Sequence, residues 1–253
     1  MPDILSGIRR MKRNSKVLIV IPAKDEEQNI GRVLEKIGAE YPSFDCLVVD
    51  DGSTDGTVRI AVEKGALLVS HHTNLGVAAA IQTGRIYALE QGYDFMVFCD
   101  ADGQHNPSDI GNVVNALLNE GADCVIGSRQ LGDYIGQEPL RLWLSRQFCS
   151  WVITMLTKKR ITDATSGLKG WNRWLIEYFK TVYETSSKLH LSTTNDMEEI
   201  LIAHKNRAKI IEVPARMLTK ETEGSKVYTT KTLFHFLTIF PMHLIRTVWR
   251  NIR

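Results

Sequence analysis

The sequence is poor in everything that would mark a stapled, fibrous or membrane-spanning protein. Its 253 residues include four cysteines, Cys46, Cys99, Cys124 and Cys149. They stand far apart with no Cys-x-x-Cys or Cys/His metal spacing, so a disulfide framework and a zinc module are excluded. Buried free thiols in a reducing compartment are expected. Seven prolines and 18 glycines are too few for a collagen-like or low-complexity chain. No uncharged run approaches the ~18–20 residues that cross a bilayer. No signal peptide is visible either, because the apolar stretch in Lys16–Pro22 is too short for an h-region with a cleavage site. The expectation is a cytoplasmic protein, peripheral on the cytoplasmic face of a membrane. A net charge of +2 gives no general excess of basic residues, and no nucleic-acid partner is expected.

What is present is an ordinary globular composition, 43% hydrophobic and 24% charged, long enough to bury a core without staples. The charge is unevenly placed. Residues 1–16 carry a net +4 and residues 220–253 another +4, which leaves −6 on the body between them. There is no internal repeat. The expected organisation is a basic segment 1–15, one domain 16–227, and an amphipathic basic tail 228–253.

From Lys16 to Gly127 short β-branched runs alternate with helical periodicity. Val17–Ile21, Leu47–Val49, Ala66–Val69, Phe95–Cys99 and Cys124–Ile126 read as strands. Ile30, Val33, Leu34 and Ile37 keep the i, i+3, i+4, i+7 spacing of a helix, and Thr54–Lys64, Val77–Glu90 and Pro107–Asn119 read as helices too. Continuous apolar strands separated by helices predict a mainly parallel α/β sheet with helices on both faces. Beyond Arg129 the pattern predicts a loop at Gln130–Pro139 and helices at Leu140–Leu156, Trp174–Tyr183 and Asp196–His204. Ile161–Asn172 reads as irregular, and Ile210–Val213 as a strand.

In such sheets ligands bind at the carboxyl ends of the strands, and here those ends are acidic. Asp100-Ala101-Asp102 follows Phe95–Cys99 directly. Two carboxylates with one small residue between them suit a magnesium or manganese ion that also takes phosphate oxygens; the plain alternative is a solvated strand end. An EF-hand loop starting at Asp100 would need Glu at its twelfth position, where Gly111 stands. A haloacid-dehalogenase-type phosphatase also begins DxDG, but normally continues with Thr or Val, not Gln104. Asp50-Asp51-Gly52-Ser53 follows the second strand. Turn chemistry explains Gly52 and Ser53, and Ser53 or Thr54 would cap the next helix. Two successive acids exceed what a turn needs, and a carboxylate there can accept from a nucleobase or ribose. His71-His72 reads as loop or supporting structure, His105-Asn106-Pro107 as the turn into a helix, and the Gly/Ala-rich run Asn74–Gly84 as close helix–sheet packing.

Ile21-Pro22-Ala23-Lys24-Asp25-Glu26-Glu27, Val49–Thr57, Asn74-Leu75-Gly76, Asp100–His105 and Gly127-Ser128-Arg129 occur in this order. They continue through Asp163–Gly167, Glu212-Val213-Pro214 and Gly224-Ser225-Lys226. Together they resemble glycosyltransferase family 2, with its GT-A (Rossmann-like) fold, and within it the dolichyl- and polyprenyl-phosphate sugar transferases. The resemblance covers about residues 16–226. It implies a donor pocket lined by Pro22, Ala23, Lys24, Glu26, Asp50 and Asp51, and a divalent cation and donor diphosphate held at Asp100, Ala101, Asp102 and Gln104. It also implies phosphate contacts from Arg129 and Lys226. The sequence departs from the family pattern at two places: Lys24 stands where relatives carry an aromatic residue, and near the end Lys220 stands for an arginine and Glu223 for a glycine. A lysine offers a point charge without the bidentate fork of a guanidinium.

The function expected is therefore metal-dependent, inverting transfer of a sugar from a nucleotide-diphosphate sugar to a polyprenyl phosphate. The alternatives are transfer to a hydroxyl of a glycan, glycolipid or small molecule, and a sugar nucleotidyltransferase, whose Gly-rich first loop with Arg is missing. A hydroxyl acceptor needs a base, for which Asp196, Glu198, Glu199 and Asp163 are candidates; the competing reading of the first three is a helix start. The tail Leu233–Ile245, followed by Arg246, Trp249, Arg250 and Arg253, suits an anionic membrane surface or a protein partner, a separate membrane protein included. Self-association is left open.

Overall fold

The computed structural model describes residues 15–132, 134–135, 140–185 and 195–218. The basic start, Lys220, Lys226 and the tail lie outside the described residues. A seven-stranded sheet forms the centre, in the order β3-β2-β1-β4-β7-β5-β8. The strands are β1 (Val17–Ala23), β2 (Asp45–Asp50), β3 (Leu67–Ser70), β4 (Phe95–Cys99), β5 (Cys124–Ser128), β7 (Leu168–Asn172) and β8 (Ile210–Pro214). The pairs β1–β2, β1–β4, β2–β3 and β5–β8 are parallel, and β7 is antiparallel to both β4 and β5. Two short strands, β6 (Tyr134–Ile135) and β9 (Met217–Leu218), pair separately.

Seven helices accompany the strands among the described residues: α1 (Ile30–Glu40), α2 (Thr57–Glu63), α3 (Val77–Glu90), α4 (Ile110–Asn119), α5 (Leu140–Thr157), α6 (Arg173–Thr185) and α7 (Asn195–Lys205). Side chains alternate across a strand, so β1 serves two cores. Leu18 and Val20 join Ala80, Ala88 and Phe179 on one face of the sheet, while Val17, Ile19 and Ile21 join Ile30, Ile37 and Val114 on the other. Burial on both faces is why β1 reads as an unbroken apolar run. The Gly/Ala-rich run before and within α3 is indeed a packing device: a Cβ on Gly84 would come within 2.6 Å of Val20.

Ile161–Asn172 is not wholly irregular, because its last five residues form β7 in the middle of the sheet. Lys169 and Gly170 hide the strand from sequence patterning. The Lys169 side chain is nevertheless 2% accessible, with its ammonium on Asp196. Gly170 is demanded by α4, since a Cβ there would meet Val113 at 2.5 Å. The expected loop over Gln130–Pro139 contains the short strand β6. The helix after Asp51 begins only at Thr57, with Gly56 at its N-cap, because Ser53 and Thr54 bond to the preceding loop instead. Pro107 opens a single 3-10 turn, Pro107–Asp109, that leads into α4.

Candidate active site

The carboxyl ends of β1, β2, β4 and β5 converge with the start of β7. The first two loops are knitted together. Lys24 Nζ donates to the Gly52 carbonyl at 2.5 Å, the Asp25 amide to Ser53 Oγ at 3.0 Å, the Glu26 amide to Thr57 Oγ1 at 2.8 Å, and the Gly56 amide to Glu27 Oε2 at 2.9 Å. Asp25 takes a positive φ of 53°, a conformation Asp tolerates better than most residues. Hydrogen bonds from Thr54, then the neighbouring Lys24, hold its carboxyl below the usual range. Gly52 has φ +75° and lies so close to the Thr73–Asn74 backbone that a side chain would collide. Pro22 lies at the end of β1 beside these loops, Glu26 accepts from Asn29 Nδ2 at 2.7 Å, and buried Ala23 receives the Asp51 amide on its carbonyl.

Asp50 and Asp51 are both buried. Asp50 accepts from the Ser53 amide at 2.9 Å, which fixes the turn. Asp51 ties three segments together. Its Oδ1 meets His71 Nδ1 and the Leu75 amide, each at 2.8 Å, and its Oδ2 accepts from the Gly76 amide at 2.8 Å. His71 Nε2 in turn meets Thr83 Oγ1 on α3 at 2.9 Å. Burial alone would raise the Asp51 pKa, but the bonds from His71, Leu75 and Gly76 prevail and hold it low. An anionic Asp51 keeps one lone-pair position on Oδ2 for a further donor. His71 is thus a supporting residue, as its position after β3 suggested, but its link to Asp51 was invisible in the sequence.

Asp100 begins immediately after β4, and its amide donates to the Gly167 carbonyl at 3.3 Å. Asp102 Oδ1 accepts from the Gln104 amide at 3.0 Å. Desolvation first, then the charges of Asp102 and Asp196, push the Asp100 carboxyl above its ordinary range against the pull of Arg129 and Lys169. The side chain is still 40% accessible, so it is open to solvent and not part of the core. Two carboxylates that resist being charged together form a donor set that a cation would relieve. Among the described residues no three His, Cys, Asp or Glu side chains converge to enclose a metal. The pair therefore fits a hard cation whose remaining ligands are phosphate oxygens and water, the coordination that magnesium and manganese favour. Ala101 is buried beneath the turn, and the Gln104 carbonyl accepts from the Leu218 amide, which seals the loop against β9.

His105, read in the sequence as part of a turn, is 3% accessible and its Nε2 lies 3.8 Å from Asp100 Oδ2. Burial, then the Arg129 charge, lowers its pKa to about 4. It is a neutral imidazole at physiological pH. Gly167 completes this contact: a Cβ there would overlap the Asp100 carboxylate and crowd His105 Nε2 at 3.0 Å. Gly167→Ala is expected to swing Asp100 out of place and lower kcat/KM by more than about 100-fold, as misplaced reacting groups do. Steady-state kinetics beside a thermal melt separates that loss from unfolding, and an alanine variant with native kcat/KM overturns the assignment.

Arg129, just past β5, is 12% accessible and chelates Asp163. Its Nε donates to Asp163 Oδ2 at 2.6 Å and its Nη2 to Oδ1 at 2.7 Å, with further bonds from Nη2 to Thr165. Asp163 is wholly buried and also 3.7 Å from Arg146 of α5. Burial would raise its pKa, yet the two arginines, Arg129 foremost, lower it. Glu212, in the Glu-Val-Pro motif, clamps the Thr162 amide and hydroxyl and the Asp163 amide at 2.9–3.0 Å. The acids at the start of α7 are likewise held. Asp196 takes Lys169 Nζ at 2.5 Å. Glu199 takes Arg85 Nη2 at 2.5 Å, and that guanidinium lies among the Trp171, Phe179 and Tyr183 rings. Glu198 is half-buried in the same turn. The cysteines are free, with burial pushing Cys124 and Cys149 up to about 12. A cavity of about 620 Å³ between Phe95, Leu117 and Trp174 contains none of these groups.

Known proteins share the sequence pattern and the fold. Residues 18–176 match the sequence pattern described as Glycosyl transferase family 2. A UDP-N-acetylglucosamine–dolichyl-phosphate N-acetylglucosaminyltransferase of Methanococcus voltae is 28% identical over 91% of this chain and 96% of its own. A polyprenol monophosphomannose synthase of Mycolicibacterium smegmatis is 28% identical over 86% of this chain and 83% of its own. Among solved structures, glucosyl-3-phosphoglycerate synthase from Mycobacterium tuberculosis, in complex with Mn2+ and UDP-glucose, superposes with a TM-score of 0.68. That match has 20% identity and covers 97% of this chain and 82% of the other.

Proposed function

Because this chain belongs to glycosyl transferase family 2 and is a glycosyltransferase of GT-A fold, we propose that it moves a sugar from a nucleoside-diphosphate sugar to a polyprenyl phosphate, with inversion at the anomeric carbon. The named relatives act on lipid phosphates, and the pairing of three of the four candidate bases supports the same acceptor. Asp163 is spent on Arg129, Glu199 on Arg85, and Asp196 on Lys169. A hydroxyl acceptor must surrender a proton to a base in the transition state. A phosphate monoester needs no such base, since its second pKa is about 6 and it is largely dianionic at neutral pH.

In this reading the donor nucleoside lies across the knitted β1 and β2 loops, with Asp51 accepting a hydrogen bond from the base or ribose, and its diphosphate reaches the Asp100–Asp102 turn. A magnesium or manganese ion held by Asp100 and Asp102, with Gln104 beside it, would supply Lewis-acid stabilisation of the diphosphate. The acceptor phosphate oxygen forms its bond to C1 as the C1–O bond to the diphosphate breaks, and the nucleoside diphosphate leaves with the electron pair. Attack on the face opposite the leaving group gives inversion. In this proposal Arg129, oriented by Asp163, lies beside the path of the approaching anion, while Lys169, 2% accessible and paired with Asp196, holds the start of α7 in place. Lys220 and Lys226 complete the phosphate contacts in this proposal. The enzyme works at the cytoplasmic membrane face, where its acceptor is embedded.

The product decides between acceptors. Incubation with UDP- and GDP-sugars, a divalent cation and a water-soluble short-chain prenyl phosphate is expected to yield a sugar phosphodiester that mild acid cleaves. A product stable to mild acid is a glycoside and overturns the lipid-phosphate reading.

A further inference from the structure

Helix α5 is turned inside out. Its buried residues are Arg146, Cys149, Ser150, Ile153 and Thr157, three of them polar. Its exposed large apolar residues are Leu140 at 69%, Trp143 at 44%, Leu144 at 52%, Phe148 at 42%, Trp151 at 58% and Met155 at 62%, with Leu156 at 42% in the last turn. At 100° per residue the first six of these fall within an arc of about 140°, with Arg146, Cys149 and Ile153 on the opposite side, while Leu156 and Thr157 in the last turn depart from this division. Phe148 and Trp151 stack along the stripe, with centroids 6.1 Å apart. A water-facing helix normally shows the reverse pattern, and a contiguous apolar patch of this kind marks an interaction surface.

We propose that this face of α5 lies in the headgroup–acyl boundary of an anionic lipid leaflet and seats the enzyme on the membrane from which it draws its acceptor. Three observations select a lipid surface as the occupant. No Asp or Glu occurs from 140 to 162, while Lys158, Lys159 and Arg160 follow the helix directly, with Lys158 and Arg160 exposed at its end. An aromatic and aliphatic stripe bounded by basic residues is the pattern of interfacial helices. The helix is 18 residues long, yet among the described residues no helix is long and apolar enough to cross a membrane, so it lies on the leaflet. Its inner face is continuous with the site: Arg146 is 3.7 Å from Asp163, and Ser150 Oγ accepts from the Ala164 amide at 3.1 Å. An acceptor headgroup rising from a leaflet beneath α5 would enter beside Arg129. The inference rests on the lipid acceptor proposed above.

The test uses the full chain and vesicles of phosphatidylcholine with or without phosphatidylglycerol. The triple variant Phe148→Ser, Trp151→Ser, Met155→Ser is expected to lose at least about tenfold in flotation with the anionic vesicles. It should retain its thermal transition, and it should transfer sugar to a short-chain soluble prenyl phosphate within about twofold of wild type. KM for a long-chain acceptor in vesicles is expected to rise about tenfold in parallel. In the wild type, lipids brominated near the headgroup should quench fluorescence that Trp151→Phe removes. Undiminished flotation of the triple variant overturns the proposal, and so does a wild-type dimer that the substitutions dissociate, because the stripe would then face a second copy. Transfer only to hydroxyl acceptors by an enzyme that still floats through α5 would remove the lipid-phosphate reading and leave the membrane surface standing.

Discussion

Asp102→Asn is expected to lower kcat/KM for sugar transfer by at least about 1,000-fold, roughly 4 kcal/mol of transition-state stabilisation, while the melting temperature stays within a few degrees of wild type. The two effects part because of where Asp102 sits. It lies at a turn beyond β4, outside both apolar cores, and its bond from the Gln104 amide falls on Oδ1, an oxygen that asparagine retains. What the substitution removes is half the negative charge facing the donor diphosphate, and with it the attraction for a divalent cation. Without a cation the two carboxylates repel each other, so the neutral variant should melt no lower than the wild type in chelator, a trade seen wherever function holds like charges together. Calorimetric titration of manganese with UDP or GDP should show the binding loss directly. Wild-type turnover by the variant would sink the assignment of this turn.

Asp163→Asn should have the largest effect on stability, about 3–5 kcal/mol at neutral pH, because it leaves the buried Arg129 and Arg146 without their counter-charge. For a chain of this size that is a fall of roughly 10 °C. The pH dependence has a definite sign. The native carboxyl is held below its unfolded value of ~3.9, so its contribution is complete above that pH and fades as pH falls through the lower native value. Wild type and variant should therefore converge in acid and differ fully at neutral pH. Transfer should fall as well, since the guanidinium loses one of the two oxygens that fix its plane and the charge on the other. A double-mutant cycle with Arg129→Gln tests the coupling, and a variant that melts with the wild type removes it.

Much of this architecture was legible because the signals are local. Val17–Ile21 and Phe95–Cys99 are apolar throughout since both faces of the sheet are covered. Val77–Glu90 agrees with the helix in full, and Asp100-Ala101-Asp102 announces itself by following a strand. The illegible parts depend on partners distant in sequence. β7 owes its place to Lys169 reaching Asp196 and to α4 excluding any side chain at Gly170, and neither β-propensity nor period reports such contacts. The one available hint was a lysine and a glycine enclosed by Leu168 and Trp171. His71 and His105 drew attention as residue types, but only the fold shows that one braces Asp51 and the other backs Asp100. The pairing of Asp163 with Arg129, and of Asp196 with Lys169, likewise joins residues too far apart in sequence for any local signal to report.

The antiparallel strand also sets a spacing. Were β4 and β5 neighbours, their ends would stand one strand interval apart, about 4.8 Å. With β7 between them, the Asp100 turn and Arg129 are anchored two intervals apart, roughly 10 Å. Because β7 begins here, what it places in the gap is Gly167, a residue without a side chain. The extra strand thus sets the Asp100 turn apart from Arg129, and the missing side chain between them leaves the space into which the Asp100 carboxylate folds.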